Sequence, residues 1–205
     1  MPAATAERNE PQPAGTERVL KRESGRGVFL VREPDGSRVL VKRWPFSPWE
    51  CVKLVLGISQ AQRQLRGARR LAAARVATPR PRRGTRVVRD HGLFTEVRLE
   101  WIDGEPLLDR VVRADAAEQG RLGEAMAAIL RRLAAARLFH RDAKLSNFIV
   151  TPAGEVVAID PVGVRRSRDP ARERDRASHA LACELSPPDR ERAAEFLRAA
   201  SVAST

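Results

Sequence analysis

Residues 27–44, GVFLVREPDGSRVLVKRW, place two β-rich runs on either side of Asp35-Gly36, a pattern that predicts an antiparallel hairpin within a sheet of two or three strands. Further on, Ser59 and Gln62 have the spacing of a capping box. A helix opening there is expected to run to about Arg75, where ATPRPRRG stops it. RVVRD predicts a strand, His91-Gly92 a turn, and FTEVRLEWI a second strand in which Val97, Leu99 and Trp101 alternate with polar neighbours. After the break at DGEP, Leu122, Met126, Ile129 and Leu133 recur at helical spacing between Ala116 and Arg137, with Arg121, Glu124, Arg131 and Arg132 mostly off that stripe. NFIV, the turn TPAGE and VVAID predict a second hairpin, and Ser186-Pro187 starts a helix over DRERAAEFLRAA. The order is α+β: a strand-rich half with one helix, a glycine-containing connection, then a helix-rich half with a small hairpin.

Composition narrows the picture only in places. The 205 residues hold one ordinary domain or two small lobes. Residues 1–16, rich in Ala, Pro and polar groups and lacking a basic start before an apolar run, read as a disordered tail and not a signal peptide, and 201–205 as a second tail. Arg interrupts every candidate for the ~20 apolar residues of a membrane span. A cytoplasmic protein is expected, free or peripheral on the inner membrane face. Cys51 and Cys183 stand alone, which argues for a reducing compartment, against structural zinc, and for two small core residues.

The net charge of +12 invites a nucleic-acid reading. Of the 38 basic residues, however, 34 are Arg, dispersed along an Ala-rich chain, and neither a helix-turn-helix, a finger nor an aromatic stacking platform accompanies them. Nucleic acid therefore ranks last as a partner. PRPRRG and GVRRSRD read as solvated loops, with contact to an anionic membrane or glycan as the alternative.

The chemistry concentrates in FHRDAKLSNFIV, residues 139–150, where polar groups lie between apolar ends that belong to a helix end and a strand. The second hairpin returns Asp160, at the end of its second strand, beside Asn147 at the start of its first. A carboxylate and an amide carbonyl so placed, completed by water and phosphate oxygens, are the usual protein contribution to a Mg²⁺ site. Asp142, five residues before Asn147, sits nearby and is free to orient a substrate hydroxyl and accept its proton. This points to phosphoryl transfer, with the polar cluster lining a cleft between two lobes.

HRDAKLSN matches the H-R-D-x-x-x-x-N catalytic loop of the protein-kinase-like superfamily, and DPVG stands where its D-F-G stands. The resemblance implies a two-lobed kinase-like fold, with a small antiparallel N-lobe carrying one helix over 17–103 and a compact helical C-lobe over 104–200. It implies ATP and Mg²⁺ as cofactors, Asp142 as catalytic base, Asn147 and Asp160 as magnesium ligands, Lys144 as the neutraliser of charge on the transferred group, and Arg141 as an organiser of loop carboxylates. Lys42, ending the strand RVLVK, resembles the lysine that holds the nucleotide's phosphates. Two of the four lysines in the chain thus fall where the superfamily uses lysine, a site type where Arg is not equivalent. Gly25 and Gly27 in SGRGVF resemble a glycine-rich phosphate loop, with Leu30 in place of the third glycine.

No A-P-E segment follows Asp160, and only about thirty residues follow Asp175. This short end resembles the bacterial lipopolysaccharide kinases of the Kdo/WaaP type, where an aspartate like Asp175 braces the catalytic loop, so the implied acceptor is a sugar hydroxyl of a lipopolysaccharide core or similar glycolipid. SNFIV is also similar to the compact Bud32-type kinases, which keeps a small atypical protein kinase open. Between Cys51 and Arg89 there is no Asp or Glu, so the carboxylate that normally pairs with Lys42 is missing; Gln60, Gln62 or Gln64 could hydrogen-bond the ammonium, and Glu50 is the nearest acid on the N-terminal side. A kinase-like scaffold or binding protein without turnover is therefore the alternative from another class.

Overall fold

The computed structural model describes residues 12–23, 25–90 and 92–201. By internal contacts it divides into two compact units: residues up to 62 together with 81–101, and residues 63–80 together with everything from 102 onward. The expected tails lie outside the described residues except at 12–16 and 201. Gly15 accepts a backbone hydrogen bond from Arg32 there, and Thr16 begins the first strand.

The first unit is a five-stranded antiparallel sheet in the order β1-β2-β3-β5-β4, formed by β1 (Thr16–Glu23), β2 (Arg26–Arg32), β3 (Arg38–Pro45), β4 (Arg86–Arg89) and β5 (Leu93–Glu100). The hairpin expected at Asp35-Gly36 joins β2 to β3. Gly36 takes φ of 80°, and the loop closes through Glu33 N–H to the Ser37 carbonyl at 2.8 Å. Phe29, Val31, Val39 and Val41 bury one face, as period-two alternation requires.

Helix α1 (Pro48–Val55) follows β3 and has no counterpart in the sequence expectations. Its signals were nonetheless present: Ser47 caps the Glu50 N–H, Pro48 occupies the first turn, and Gly57 at φ 73° ends it, with Ile58 N–H bonded to Lys53 O and Gly57 N–H to Leu54 O. Helix α2 (Gln60–Ala73) opens on the expected capping box: Gln62 N–H donates to Ser59 Oγ, and Gln62 Oε1 accepts from Ser59 N–H. It closes with Arg75 in the left-handed region and Val76 N–H on Leu71 O.

The second unit contains β6 (Glu105–Pro106), α3 (Leu107–Arg113), α4 (Ala116–Ala135), β7 (Leu138–His140), β8 (Phe148–Val150), β9 (Val156–Ala158), β10 (Val164–Arg166), α5 (Pro170–Cys183), α6 (Pro187–Arg192) and α7 (Ala194–Ser201). The stripe expected on α4 is buried: Leu122, Met126, Ile129 and Leu133 enter one core with Leu107, Phe148, Leu181 and Phe196. α4 and α7 touch at Gly123, where a Cβ would lie 2.6 Å from both Ala199 Cβ and the Phe196 carbonyl oxygen. The single C-terminal helix expected over DRERAAEFLRAA breaks at Ala193 into α6 and α7. Cys51 and Cys183 are both exposed, correcting the expectation that they fill a core; the Cys183 Sγ instead lies 3.3 Å from His179 Nε2.

Candidate functional site

The polar segment lies between β7 and β8, anchored by the apolar side chains that interrupt it. Leu138, Ala143, Leu145 and Phe148 are buried in the core, so the backbone between them is pinned at short intervals and Arg141, Asp142, Lys144 and Ser146 are turned outward. Residues 145–147 form one 3₁₀ turn, closed by Asn147 N–H on the Lys144 carbonyl. The Asn147 amide Nδ2 donates to the Asp142 carbonyl at 2.8 Å and to Asp142 Oδ2 at 3.3 Å. Lys144 Nζ lies 3.4 Å from Asp142 Oδ1. With its nitrogen fixed on Asp142, Asn147 presents its Oδ1 as an oxygen donor.

The second hairpin forms as the sequence predicts. β8 pairs with β9 from Phe148↔Ala158 to Val150↔Val156. Ile159 N–H then bonds the Asn147 carbonyl at 3.0 Å, which holds the chain leading into Asp160 alongside Asn147. Asp142, Lys144, Asn147 and Asp160 are therefore gathered at one end of this hairpin. Among the described residues no group of three His, Cys, Asp or Glu could hold a metal by itself. The donors available for a cation here are the Asp160 carboxylate and the Asn147 amide oxygen, a hard oxygen pair that suits Mg²⁺ when phosphate and water complete the shell.

His140 ties the two acidic segments together. Its Nδ1 accepts from Asp142 N–H at 3.2 Å, which puts the ring proton on Nε2, and Nε2 donates to the Asp160 carbonyl at 2.8 Å. Burial lowers the imidazole pKa, outweighing the bond to Asp160 and the nearby Asp160 and Asp142 charges, so the ring stays neutral in this role. A Cβ on Gly163 would sit 3.3 Å from Asp142 N and 3.4 Å from the imidazole, so the end of the DPVG segment closes directly on this bridge. Arg141 contributes its backbone N–H to the Gly163 carbonyl, while its side chain is exposed.

Two features of the site escaped the sequence reading. Glu184, one residue beyond α5, braces the loop: it accepts from Ser146 N–H at 3.2 Å and from the Ser146 hydroxyl. Asp175, expected in that role, is exposed and pairs with its neighbour Arg174 at 3.8 Å, a correction to the expectation. The second feature is the contact of α2 with the residue after Asp160. A Cβ on Gly67 would stand 1.8 Å from the Pro161 carbonyl oxygen, so only glycine allows this approach.

On the first unit, Lys42 lies on β3 in register with Val28 and Val97, and Gly27 is one step away opposite Arg43. Gly25 forms the β1–β2 turn at φ 77°. Gly27 has a packing reason of its own, since a Cβ there would be 2.2 Å from the Phe29 ring. The neighbouring Arg43 points to the opposite face, where Glu96 is fully buried and accepts from Arg43 Nε at 2.8 Å, Arg98 Nε at 2.8 Å and Arg86 Nε at 2.9 Å. Burial alone would raise the Glu96 carboxyl pKa, but the hydrogen bonds from Arg98, Arg43 and Arg86 together hold it below the ordinary value. Glu50 is buried and its Oε2 bonds Lys53 at 3.3 Å.

The three glutamines of α2 separate clearly. Gln62 is committed to the capping box and, through Nε2, to the Leu54 carbonyl at 2.8 Å. Gln60 is half-buried. Gln64 is fully buried, and neither its Oε1 nor its Nε2 has a hydrogen-bond partner among the described residues.

An antiparallel sheet unit followed by a helical unit, with this loop and hairpin, defines an α+β kinase-like fold. The family model described as "Phosphotransferase enzyme family" matches residues 17–200, and the chain belongs to that family, a kinase-like group that includes aminoglycoside phosphotransferases and related kinases. The activity class is that of a small-molecule phosphotransferase. No curated protein matches the chain.

Proposed function

We propose that this protein is a Mg²⁺- and ATP-dependent kinase that transfers the γ-phosphoryl group to a sugar hydroxyl, with a lipopolysaccharide core or related glycolipid as the acceptor class. The observation that carries the reading is the Asp142–Asn147–Asp160 arrangement: one carboxylate steadied by Asn147 Nδ2 and Lys144, and a second acid segment aligned by Ile159 N–H on the Asn147 carbonyl. In this reading residues 17–103 form the N-lobe and 104–200 the C-lobe, and both contribute to holding the nucleotide. Lys42 binds its α- and β-phosphates, and Gly25 and Gly27 lie under the phosphates.

Asp142 accepts the proton of the acceptor hydroxyl as the new oxygen–phosphorus bond forms. The bond from the γ-phosphorus to the β,γ-bridging oxygen breaks, and ADP leaves with that electron pair. Lys144, within 3.4 Å of Asp142, neutralises charge on the transferred group. Mg²⁺ on Asn147 and Asp160 would supply charge neutralisation of the β- and γ-phosphate oxygens. Positioning and electrostatics supply nearly all of the catalysis, because a loose transition state leaves little covalent work to the protein. The test is ADP release with sugar and glycolipid acceptors, comparing the parent with Asp142→Asn; acceptor-dependent turnover lost in the variant supports the assignment, and equal turnover overturns it.

A second reading is favoured by one observation, the absence of any acidic residue on α2. A nucleotide-binding scaffold without turnover would bind Mg-ATP and transfer nothing to any acceptor.

A further inference from the structure

Helix α1 is amphipathic in the reverse sense. At 100° per residue its exposed positions Pro48, Trp49, Cys51, Val52, Val55 and Leu56 span an arc of about 160° that carries no charged side chain. The two charged residues of the helix lie off that arc, Glu50 buried and Lys53 half-buried, and they pair with each other at 3.3 Å. Trp49 is 65 % exposed, Val55 81 % and Leu56 64 %. Beyond Gly57, Ile58 extends the same apolar surface at 46 % exposure. Ordinary surface helices place their charges outward, because an exposed apolar stripe gains nothing from water. The stripe is also held rigidly: Ser47 caps one end, the Gly57 turn closes the other, and the Lys53 ammonium lies 5.8 Å from the Trp49 ring centre.

We propose that the outer face of α1 docks on an anionic membrane surface, with Trp49, Val52, Val55, Leu56 and Ile58 entering the interface. Two considerations select this occupant. The face offers on the order of 500 Å² of apolar surface, short of the ~800 Å² per partner of a stable protein interface, whereas an interfacial helix needs no fixed minimum area. The chain also carries +12, so a second copy would meet it with like charge while anionic lipid attracts it. A tryptophan at the edge of an apolar stripe is suited to the headgroup level. Among the described residues no helix is long and apolar enough to cross a membrane, so contact through α1 would be peripheral.

The test is co-sedimentation of the full chain with phosphatidylcholine vesicles prepared with and without phosphatidylglycerol. It needs no nucleotide, so its failure is distinguishable from failure of the kinase reading. The parent should sediment with the anionic vesicles only, less so at high salt. The double variant Val55→Ser, Leu56→Ser should bind at least ~10-fold more weakly, with an unchanged melting temperature because both side chains are exposed. Absence of vesicle binding, equal binding to neutral vesicles, or undiminished binding by the double variant would each overturn the proposal. So would a concentration-dependent dimer that the same variant abolishes, which would assign the face to a second copy.

Discussion

Gly67→Ala adds one methyl group to α2, and the structure specifies where it goes. The new Cβ would lie 1.8 Å from the Pro161 carbonyl oxygen, 2.6 Å from its carbonyl carbon and 3.0 Å from its Cβ. Restoring ordinary contact requires a separation of roughly 1.5 Å more between α2 and the segment after Asp160. The obstacle is backbone, so no rotamer change relieves it. Overpacking of this kind costs ~1–3 kcal/mol, offset by up to ~1 kcal/mol from the better helix propensity of Ala. A net loss of about 1 kcal/mol corresponds to a fall of about 2–4 °C in melting temperature for a chain of this size. Displacing Asp160 by about 1 Å should also lower turnover by ~10²-fold.

The control is the same substitution at Gly120 in α4, where the new Cβ would meet only Glu195 side-chain atoms at 3.5 and 3.9 Å. Gly120→Ala should raise stability by about 1 kcal/mol from propensity alone. Thermal melts of the three proteins, followed by Mg-ATP turnover, provide the assay. Opposite signs at the two glycines support the packing of α2 on the DPVG segment. A Gly67→Ala protein that melts and turns over like the parent would refute it.

Other expectations follow from individual groups. Asp142→Asn should keep ATP affinity while turnover falls ~10²- to 10⁴-fold in steady-state kinetics, the usual effect of losing a positioned base. Glu96 has a folded pKa below its unfolded value of 4.5, so its contribution to stability is full above that value and is lost as pH falls through the lower folded pKa. Glu96→Gln should cost about 3 kcal/mol at neutral pH and flatten the acid limb of a pH–stability curve; an acid limb as steep as the parent's would argue against the arginine cluster. Gln64→Leu removes a fully buried amide that has no partner among the described residues, so the protein should gain ~1–2 kcal/mol in a denaturant melt. A variant that is less stable than the parent would show that the amide is satisfied in solution.

Much of the fold follows from local rules. Asp35-Gly36, the Ser59–Gln62 capping box, the α4 stripe and the TPAGE turn all place their elements because each signal acts within a few residues. The hairpin geometry also brings Asn147 and Asp160 side by side as the spacing implies. Helix α1 is not legible as a core-facing helix because its apolar residues face outward, although Ser47, Pro48 and Gly57 mark both ends. The brace from Glu184 to Ser146 spans 38 residues and depends on where α5 ends, which no local pattern states. The Glu96 cluster was hidden by the abundance of Arg: among 34 arginines, nothing in the sequence distinguishes the three that converge on one buried carboxylate.

The most direct test of the nucleotide site is the change in melting temperature on adding ATP, with and without Mg²⁺, for the parent and for Asp160→Asn. Saturating ligand at about a hundred times its dissociation constant stabilises a folded protein by about 2.7 kcal/mol. The parent should show a shift of that order only when Mg²⁺ is present, and Asp160→Asn should lose most of it. No shift in the parent at millimolar ATP, or an equal shift in the variant, would contradict a Mg-ATP site built on Asn147 and Asp160.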